Sequence, residues 1–166
     1  RRLLTHGALA AVGLGAARGA AARQTPEVDL VLVEKRRRRL TLFQGDQAVR
    51  TYRVALGRNP VGHKRREGDG RTPEGRYILD WRNPQSRFHL STHVSYPNRR
   101  DTLAARQRGV APGGAIMIHG LPPRLAHLGH NHSRWDWTEG CIAVSNLEME
   151  EIWRLVEDGK PVLIRP

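Results

Sequence analysis

The sequence predicts a mainly β domain, a sandwich or a barrel, with one helix near its C-terminus. Two observations predict this class. Short runs rich in apolar and β-branched residues recur along the chain, and segments rich in Gly, Pro, Asn and Asp separate them. A convincing amphipathic helix pattern, with start and stop signals, occurs close to the end. With 166 residues the chain has room for one domain and a short extension, so a second full domain is excluded.

The predicted strands follow one another in short steps. The first three cover residues 28–33, 40–43 and 49–56. Arginines 36–39 lie between the first two strands; a nucleic-acid patch is one interpretation of them, but a hairpin tip in solvent is favoured. Residues 57–75 form a long loop, and loops of this length tend to be functional. The remaining strands are predicted at residues 76–80, 88–95, 115–118, 141–144 and 162–164.

The C-terminal helix is predicted to begin after Ser145. Ser145 and Glu148 match a capping box, in which each side chain accepts a hydrogen bond from the other residue's backbone N–H. Residues 158–161 contain Gly and Pro and end the helix. The apolar face of the helix consists of Met149, Ile152, Leu155 and Val156. A second, weaker helical pattern covers residues 101–107.

The first 23 residues have the order of an export signal. Paired arginines at positions 1 and 2 precede small apolar residues at 8–17, and three alanines at 20–22 supply a cleavage site. The apolar run is shorter than the ~20 residues that span a bilayer, and the paired arginines hint at twin-arginine export. A helix packed on the domain is the alternative, which interspersed glycines disfavour. We expect residues 1–23 to be cleaved and residues 24–166 to form the mature domain.

The chain is strongly basic, with 28 lysines and arginines against 16 acidic residues and a formal net charge of +12. This balance favours an anionic neighbour: nucleic acid, phospholipid head groups or a polymer rich in carboxylates. Cys141 is the one cysteine, so the chain can form neither an internal disulfide nor a structural zinc site built on cysteines. A solitary thiol of this kind is either inert or reactive.

His119 ends one predicted strand and Cys141 begins another. A thiol near its free pKa of about 8.5 is mostly protonated at neutral pH, so a nucleophilic cysteine needs a base at hydrogen-bond distance. Adjacent strand ends can place His119 there. Gly140 leaves room for a substrate carbonyl beside backbone amides that would hold an oxyanion. A buried cysteine and a core histidine explain the same residues, and spacing alone leaves both interpretations open.

The segment His119-Gly120, together with Thr138-x-Gly140-Cys141, resembles the active-site signature of the L,D-transpeptidase catalytic domain (YkuD) family. Four further stretches resemble family segments in family order, at residues 68–75, 88–91, 95–98 and 112–114. The likeness covers about residues 28–166. It implies an L,D-transpeptidase-like β-sandwich or barrel. It also implies an exported enzyme of peptidoglycan in the periplasm or cell wall, which meets the membrane only during export.

The chemistry implied by the resemblance is acyl transfer through a thioester on Cys141. The carbonyl attacked belongs to the third residue of a peptidoglycan stem peptide, a diamino acid, ahead of the terminal D-Ala. His119 is the expected general base, Gly120 is expected to orient it through its carbonyl, and amides of Gly140 and Cys141 are the expected oxyanion hole. Residues expected to contact substrate are Thr138, His89, Arg134 and Trp137. No metal or organic cofactor is expected, the partner is the stem peptide rather than nucleic acid, and a monomer is expected.

Glu139 is a departure from the family, many members of which have His two residues before the nucleophile. An ionised carboxylate accepts hydrogen bonds but cannot donate one, so the role of that histidine is absent or changed. The departure resembles a branch that includes an enzyme releasing a lipoprotein from peptidoglycan. Hydrolysis, by an L,D-carboxypeptidase or such an amidase, is therefore an alternative to transfer. A non-catalytic peptidoglycan-binding domain and a basic nucleic-acid-binding domain are the other hypotheses.

Two clusters lie between His119 and Cys141. The first contains His127, His130 and His132; it suggests zinc, but its irregular spacing with Gly129 and Asn131 favours a lid over the substrate groove. The second contains Trp135, Asp136 and Trp137. The two tryptophans are interpreted either as core anchors or as a wall of the groove, and the partner of Asp136 is left open.

Overall fold

The computed structural model describes residues 26–166, so the predicted export signal at residues 1–23 lies outside the described residues. Eight strands form one sheet in the order β3-β2-β1-β8-β4-β5-β6-β7. The strands are β1 (Leu30–Glu34), β2 (Arg39–Gln44), β3 (Gln47–Arg53), β4 (Gly75–Asn83), β5 (Ser91–Val94), β6 (Met117–His119), β7 (Ile142–Ala143) and β8 (Lys160–Arg165). Two α-helices, α1 (Arg99–Gln107) and α2 (Asn146–Leu155), and a 3-10 helical segment (Pro123–Arg134) complete the described fold.

The two edges of the sheet meet. The chain leaving β3 continues to Ala55, which pairs with Ala143 of β7, and to Gly57, which pairs with Thr138. Since β3 and β7 are the edge strands, these bridges curl the sheet towards a barrel and cover its edges. The predicted mainly β sandwich or barrel is confirmed. The third strand ends at Arg53 instead of residue 56, because residues 54–57 turn away from β2 to meet the other edge.

One hydrophobic core lies inside the curled sheet. β1 and β8 pair in parallel at its centre, and alternate apolar side chains from them are fully buried. Met149 and Ile152 of α2 enter the same core. Each such side chain contributes about 1.5–3 kcal/mol by burial, so the amphipathic face predicted for the C-terminal helix is what attaches α2 to the sheet. The central strand residues are Val31, Val33, Val162 and Ile164.

Both helices begin at capping boxes. The Ser145 side chain accepts the N–H of Glu148, and Glu148 Oε2 accepts the N–H of Ser145 at 2.8 Å, as predicted. In α1, Asn98 and Asp101 make the same reciprocal pair, so that helix begins two residues earlier than the pattern at 101–107 indicates. Within residues 26–166, no helix is long and apolar enough to cross a membrane.

One predicted strand is much shorter in the structure, and the favoured turn at the arginine-rich hairpin is observed. The strand predicted at residues 88–95 is reduced to Ser91–Val94, because His89 adopts a positive φ of 72° that breaks an extended backbone. The arginine-rich hairpin between β1 and β2 is a turn, as favoured, with Arg36 and Arg37 exposed. Its third arginine, Arg38, instead reaches the segment before Cys141, as described below.

Candidate active site

Parallel pairing of β6 and β7 brings His119 and Cys141 into the lining of one cleft. His119 ends β6 opposite Ala143 of β7. Cys141 lies just before β7, where its Sγ accepts a hydrogen bond from Met117 N–H at 3.4 Å. Side chains two residues apart on a strand share a face, so His119 and Cys141 project from the same side of the sheet. The cleft that both line has a volume of about 400 Å³.

His119 is buried, with 2% of its surface exposed. Its Nδ1 lies 2.6 Å from the carbonyl oxygen of Gly120. A carbonyl can only accept, so Nδ1 carries the proton and Nε2 of the neutral ring is an acceptor. Burial lowers the pKa of His119 to about 4, although the bond to Gly120 acts in the opposite direction. The imidazole is therefore neutral at pH 7, in the tautomer that a base requires.

Two aromatic rings and a close backbone contact hold this imidazole. The ring centroid of Phe88 lies 4.5 Å from that of His119, and the ring of Trp137 lies 5.9 Å away, edge-on. Gly120 sits so close to α2 that a Cβ on it would lie 2.7 Å from Asn146 Oδ1. That Oδ1 accepts the N–H of Leu121 at 2.7 Å. Glycine at position 120 therefore allows α2 to pack closely enough to hydrogen-bond the chain that follows His119.

Cys141 is half-buried, and its sulfur contacts the backbone of the strand opposite. Besides the N–H of Met117, Sγ has the carbonyl oxygen of Ala115 as a hydrogen-bond partner at 3.6 Å. Burial raises the pKa of the thiol, and the Met117 N–H and the positive charge of Lys64 offset only part of this. The thiol is therefore protonated at neutral pH, and its activation requires a base.

Comparison with known proteins identifies the family of this chain. Residues 28–164 match the YkuD family, described as the L,D-transpeptidase catalytic domain. The chain belongs to this family. It is 29% identical over 113 residues to YafK of Escherichia coli (strain K12), whose name places it with the L,D-transpeptidases; the match covers 66% of this chain and 38% of that protein.

Solved structures of the same architecture support the assignment. The helical cell shape determining protein Pgp2 of Campylobacter jejuni (K307A mutant) superposes with a TM-score of 0.63 and 28% identity, over 83% of this chain and 47% of that one. Bd1075 of Bdellovibrio bacteriovorus gives a TM-score of 0.59 and 25% identity over 84% and 48%. An L,D-transpeptidase from Mycobacterium smegmatis, 14% identical with a TM-score of 0.55 over 84% and 59%, shares the fold. The chain thus spans about half or less of the relatives Pgp2, Bd1075 and YafK.

Glycine at position 140, part of the YkuD signature, is explained by a different contact from the one expected. Its φ is +135°, and a Cβ on it would lie 2.6 Å from the carbonyl oxygen of Arg71. The space beside the nucleophile is therefore filled by the backbone of the 57–75 loop rather than left free for a substrate carbonyl. Any side chain at position 140 would displace that loop from under Cys141.

Thr138 and the Gly140 amide also differ from expectation. Gly140 N–H donates to Thr138 Oγ1 at 3.1 Å, and the Thr138 hydroxyl donates to the carbonyl oxygen of Cys141 at 2.7 Å. Thr138 is buried and shapes the turn, instead of facing substrate as predicted. The Gly140 N–H already donates to Thr138. Of the two amides predicted to form the oxyanion hole, the Cys141 N–H is the one that these hydrogen bonds do not use.

The other predicted substrate residues are spread around the cleft. Trp137 packs against His119. His89 is turned towards α2, where its Nε2 lies 2.8 Å from Glu150 Oε1, and its neighbour Phe88 lines the cleft instead. Arg134 is exposed at the end of the 3-10 segment. Of the four predicted contacts, only Trp137 touches the predicted base.

The histidine-rich segment is not built as the expected lid lined by histidines. His132 is fully buried and packs edge-on against Trp137, with ring centroids 6.4 Å apart. His130 Nδ1 lies 3.1 Å from Glu148 Oε1 of α2, and His127 is exposed. Among residues 26–166, no three His, Cys, Asp or Glu side chains form a group that could hold a metal ion. His132 therefore supports the wall behind His119.

Asp136 has a partner that the sequence did not indicate. Arg38, from the β1–β2 hairpin, donates to both carboxylate oxygens of Asp136 at 2.7–3.1 Å, and the N–H of Leu56 donates to Oδ1 at 2.9 Å. A two-pronged guanidinium–carboxylate pair fixes orientation as well as distance. It anchors the segment that leads into the Cys141 turn.

Glu139, the residue that departs from the common YkuD pattern, is exposed and forms an ion pair with Arg58. Arg58 N–H donates to the Thr138 carbonyl oxygen at 2.9 Å. Arg58 thus binds the turn to the 57–75 loop at two residues, through the carbonyl of Thr138 and through the side chain of Glu139. The histidine found in many family members is replaced here by a link to an arginine.

Proposed function

We propose that this domain is an exported L,D-transpeptidase of peptidoglycan that works through a thioester on Cys141. The observation that carries the proposal is that His119 and Cys141 line one cleft, while the Gly120 carbonyl holds the proton on Nδ1 of His119. This leaves Nε2 as a base for the thiol. Membership of the YkuD family supplies the substrate class, peptidoglycan stem peptides.

The resting state is a neutral thiol beside a neutral imidazole rather than an ion pair. Burial raises the pKa of Cys141 and lowers that of His119, so transfer of the thiol proton accompanies attack on the substrate. This is general-base catalysis, which typically contributes about 10²–10⁴-fold to the rate. A donor amide must supply the charge stabilisation for the developing oxyanion, and we assign this to the Cys141 N–H.

In the acylation step, the thiol proton moves to His119 Nε2 and Cys141 Sγ bonds to the carbonyl carbon of the third stem residue. The bond from that carbon to the nitrogen of the terminal D-Ala breaks, and the proton on Nε2 passes to the leaving amine. An amine of a second stem peptide then attacks the thioester, which forms a cross-link and restores the thiol. Water in place of the amine gives hydrolysis instead.

The proposed location and partner follow the same reasoning. Residues 1–23 carry the predicted export signal, and a basic chain suits a wall polymer that bears many carboxylates. The relative Pgp2 is described as a cell shape determining protein, so we include wall shaping among the proposed roles of this domain.

The test is acylation followed by turnover. The purified protein is incubated with a carbapenem and its intact mass is measured. We expect a covalent adduct in the parent protein, none in Cys141→Ala, and acylation slower by about a hundredfold or more in His119→Asn. His127→Asn, which changes an exposed histidine of the 3-10 segment, is the matched control and keeps the parent rate.

Stem tetrapeptides then distinguish the reactions. Mass analysis that finds a cross-linked dimer with loss of D-Ala supports transfer, whereas tripeptide without dimer indicates the hydrolytic alternative. Absence of both an adduct and turnover would leave a peptidoglycan-binding domain as the better description. Steeply salt-dependent binding of an oligonucleotide would favour the nucleic-acid alternative.

A further inference from the structure

A second concave surface lies in the 57–75 loop, outside the cleft. It has a volume of about 440 Å³, and we call it the arginine pocket. Asp69 is the acidic residue in its lining. Within the described residues, none of the four arginines has a carboxylate at salt-bridge distance. The arginines are Arg65, Arg66, Arg71 and Arg108.

The one carboxylate of the pocket is already committed. Asp69 Oδ1 accepts from Lys64 Nζ at 2.9 Å and from the backbone N–H of Arg71 at 3.1 Å. Oδ2 accepts from the backbone N–H groups of Arg65 and Arg66 at 2.7 and 3.1 Å. Burial raises the pKa of Asp69, but these hydrogen bonds outweigh it and hold the pKa below its usual value. The carboxylate therefore fixes the loop. Arg71 and Arg108 each donate to a backbone carbonyl oxygen, of His63 at 3.5 Å and of Ala104 at 3.0 Å, which leaves the positive charge of the pocket without a carboxylate partner.

The arginine pocket adjoins the turn that carries the nucleophile. The carbonyl oxygen of Arg71 lies against Gly140, the residue before Cys141. On the other side, Gly113 packs on Glu67 of the loop, with 3.1 Å between its would-be Cβ and the Cα of Glu67, and the chain then leads to Ala115 beside Cys141 Sγ. The lining residues of the pocket and of the cleft do not overlap. The cleft therefore contains the thiol, and the arginine pocket lies on the loop that packs against the residue before it.

Four like charges around a concave surface repel one another, and a bound anion removes that cost. Guanidinium groups match carboxylates in geometry and bind them with two parallel hydrogen bonds. With a volume of about 440 Å³, the pocket has room for a short stretch of peptide carrying more than one carboxylate.

We propose that the arginine pocket binds the free carboxylates of a peptidoglycan stem peptide positioned at Cys141. The choice of stem peptide rests on the proposed function. The pocket and the cleft together would hold two portions of substrate on either side of one nucleophile. A transferase needs such an arrangement to hold donor and acceptor at once.

The test measures binding without turnover. In a Cys141→Ala background, calorimetry compares a stem tetrapeptide having free carboxylates with the same peptide having its carboxylates amidated. Replacing Arg65 and Arg66 together by Gln should raise the Kd of the free-acid peptide by about tenfold or more, because charge-assisted hydrogen bonds are lost. The Kd of the amidated peptide should not change. Replacing Arg36 and Arg154 together by Gln, two exposed arginines outside the pocket lining, is the equal-charge control.

Each outcome decides the proposal. An unchanged Kd for the free-acid peptide in the double variant, or no binding of that peptide at all, overturns it. Inorganic phosphate that binds the pocket while the peptide does not would assign the pocket to phosphate anions and also overturn it. Thermal melting of the double variant checks that the loop is intact. Carbapenem acylation of the otherwise unchanged protein with Cys141 present reports on the proposed function separately.

Discussion

Acid should destabilise this protein through His119. Its pKa is lowered from 6.5 to about 4 in the folded protein, chiefly by burial, whereas an unfolded histidine titrates near pH 6.5. Between these two pH values the unfolded chain binds the extra proton and the folded protein does not. Stability is therefore full above pH ~6.5 and falls as the pH drops towards 4, and the loss levels off below that.

The magnitude follows from the two pKa values. One pKa unit corresponds to about 1.36 kcal/mol, so acidification from about pH 8 to about pH 4.5 removes about 2.5 kcal/mol of unfolding free energy through this one group. Urea unfolding at the two pH values measures the loss. His119→Asn is the comparison, because asparagine can still donate to the Gly120 carbonyl but does not titrate.

The difference between the two proteins isolates His119, since His132 and the carboxylates titrate in both. The parent should lose about 2.5 kcal/mol more than His119→Asn over this pH range. An equal loss in both proteins would refute the buried neutral imidazole. A second readout is catalytic: carbapenem acylation should keep its rate on the acid side down to about pH 5, and a fall centred near pH 6.5 would contradict the lowered pKa.

Three further changes test the turn that carries the nucleophile. Gly140→Ala should destabilise the fold by at least about 2 kcal/mol, since its Cβ meets the Arg71 carbonyl at a positive φ; chemical denaturation measures it. Asp136→Asn should cost about 2 kcal/mol by weakening the two-pronged pair with Arg38, and it should also slow acylation because the segment before Cys141 loosens. Thr138→Val removes both hydrogen bonds of the hydroxyl and should slow acylation about tenfold or more, whereas Thr138→Ser should restore most of the rate.

Matched controls separate these effects from general damage. Gly109 has a positive φ of +66° but no atom within 4 Å of its would-be Cβ, so Gly109→Ala should cost less than Gly140→Ala. Asp158→Asn breaks an ion pair with Arg82 in which the carboxylate is half exposed, and it should cost under about 1 kcal/mol. If Gly109→Ala destabilised the fold as much as Gly140→Ala, or Asp158→Asn as much as Asp136→Asn, the roles given to Gly140 and Asp136 would be wrong. A Thr138→Val variant with the parent acylation rate would contradict the role given to Thr138.

Local patterns were sufficient for the elements whose stability is local. The capping box at Ser145, the apolar face of α2 and the turns between short strands depend on residues near one another in sequence. They predicted α2 and the mainly β class, which the structure shows. The strand predicted at residues 88–95 and the third strand were too long, because a positive φ at His89 and pairing of Ala55 with Ala143 end them. Pairing between distant strands has no signature in a short window.

The candidate site shows the same division. His119 and Cys141 were identifiable from residue type, position at strand ends and the YkuD signature. Phe88, which packs on His119, lies within the stretch 88–91 that resembles the family, but the sequence does not distinguish its role from that of its neighbour His89. The sequence does not indicate the partner of Asp136, because Arg38 is 98 residues away in the chain.

By itself, the sequence determined the class of fold, the C-terminal helix and the two side chains on which acyl chemistry would depend. Only the tertiary structure decided that Gly140 makes room for the Arg71 backbone and that the Thr138 hydroxyl is bonded within the turn. It also decided that four arginines without a carboxylate partner among residues 26–166 line one pocket. The physical reason is the distance along the chain over which each kind of interaction acts. Caps, turns and periodic apolar faces act over a few residues, whereas steric contact, burial and charge pairing act between any groups that folding brings together.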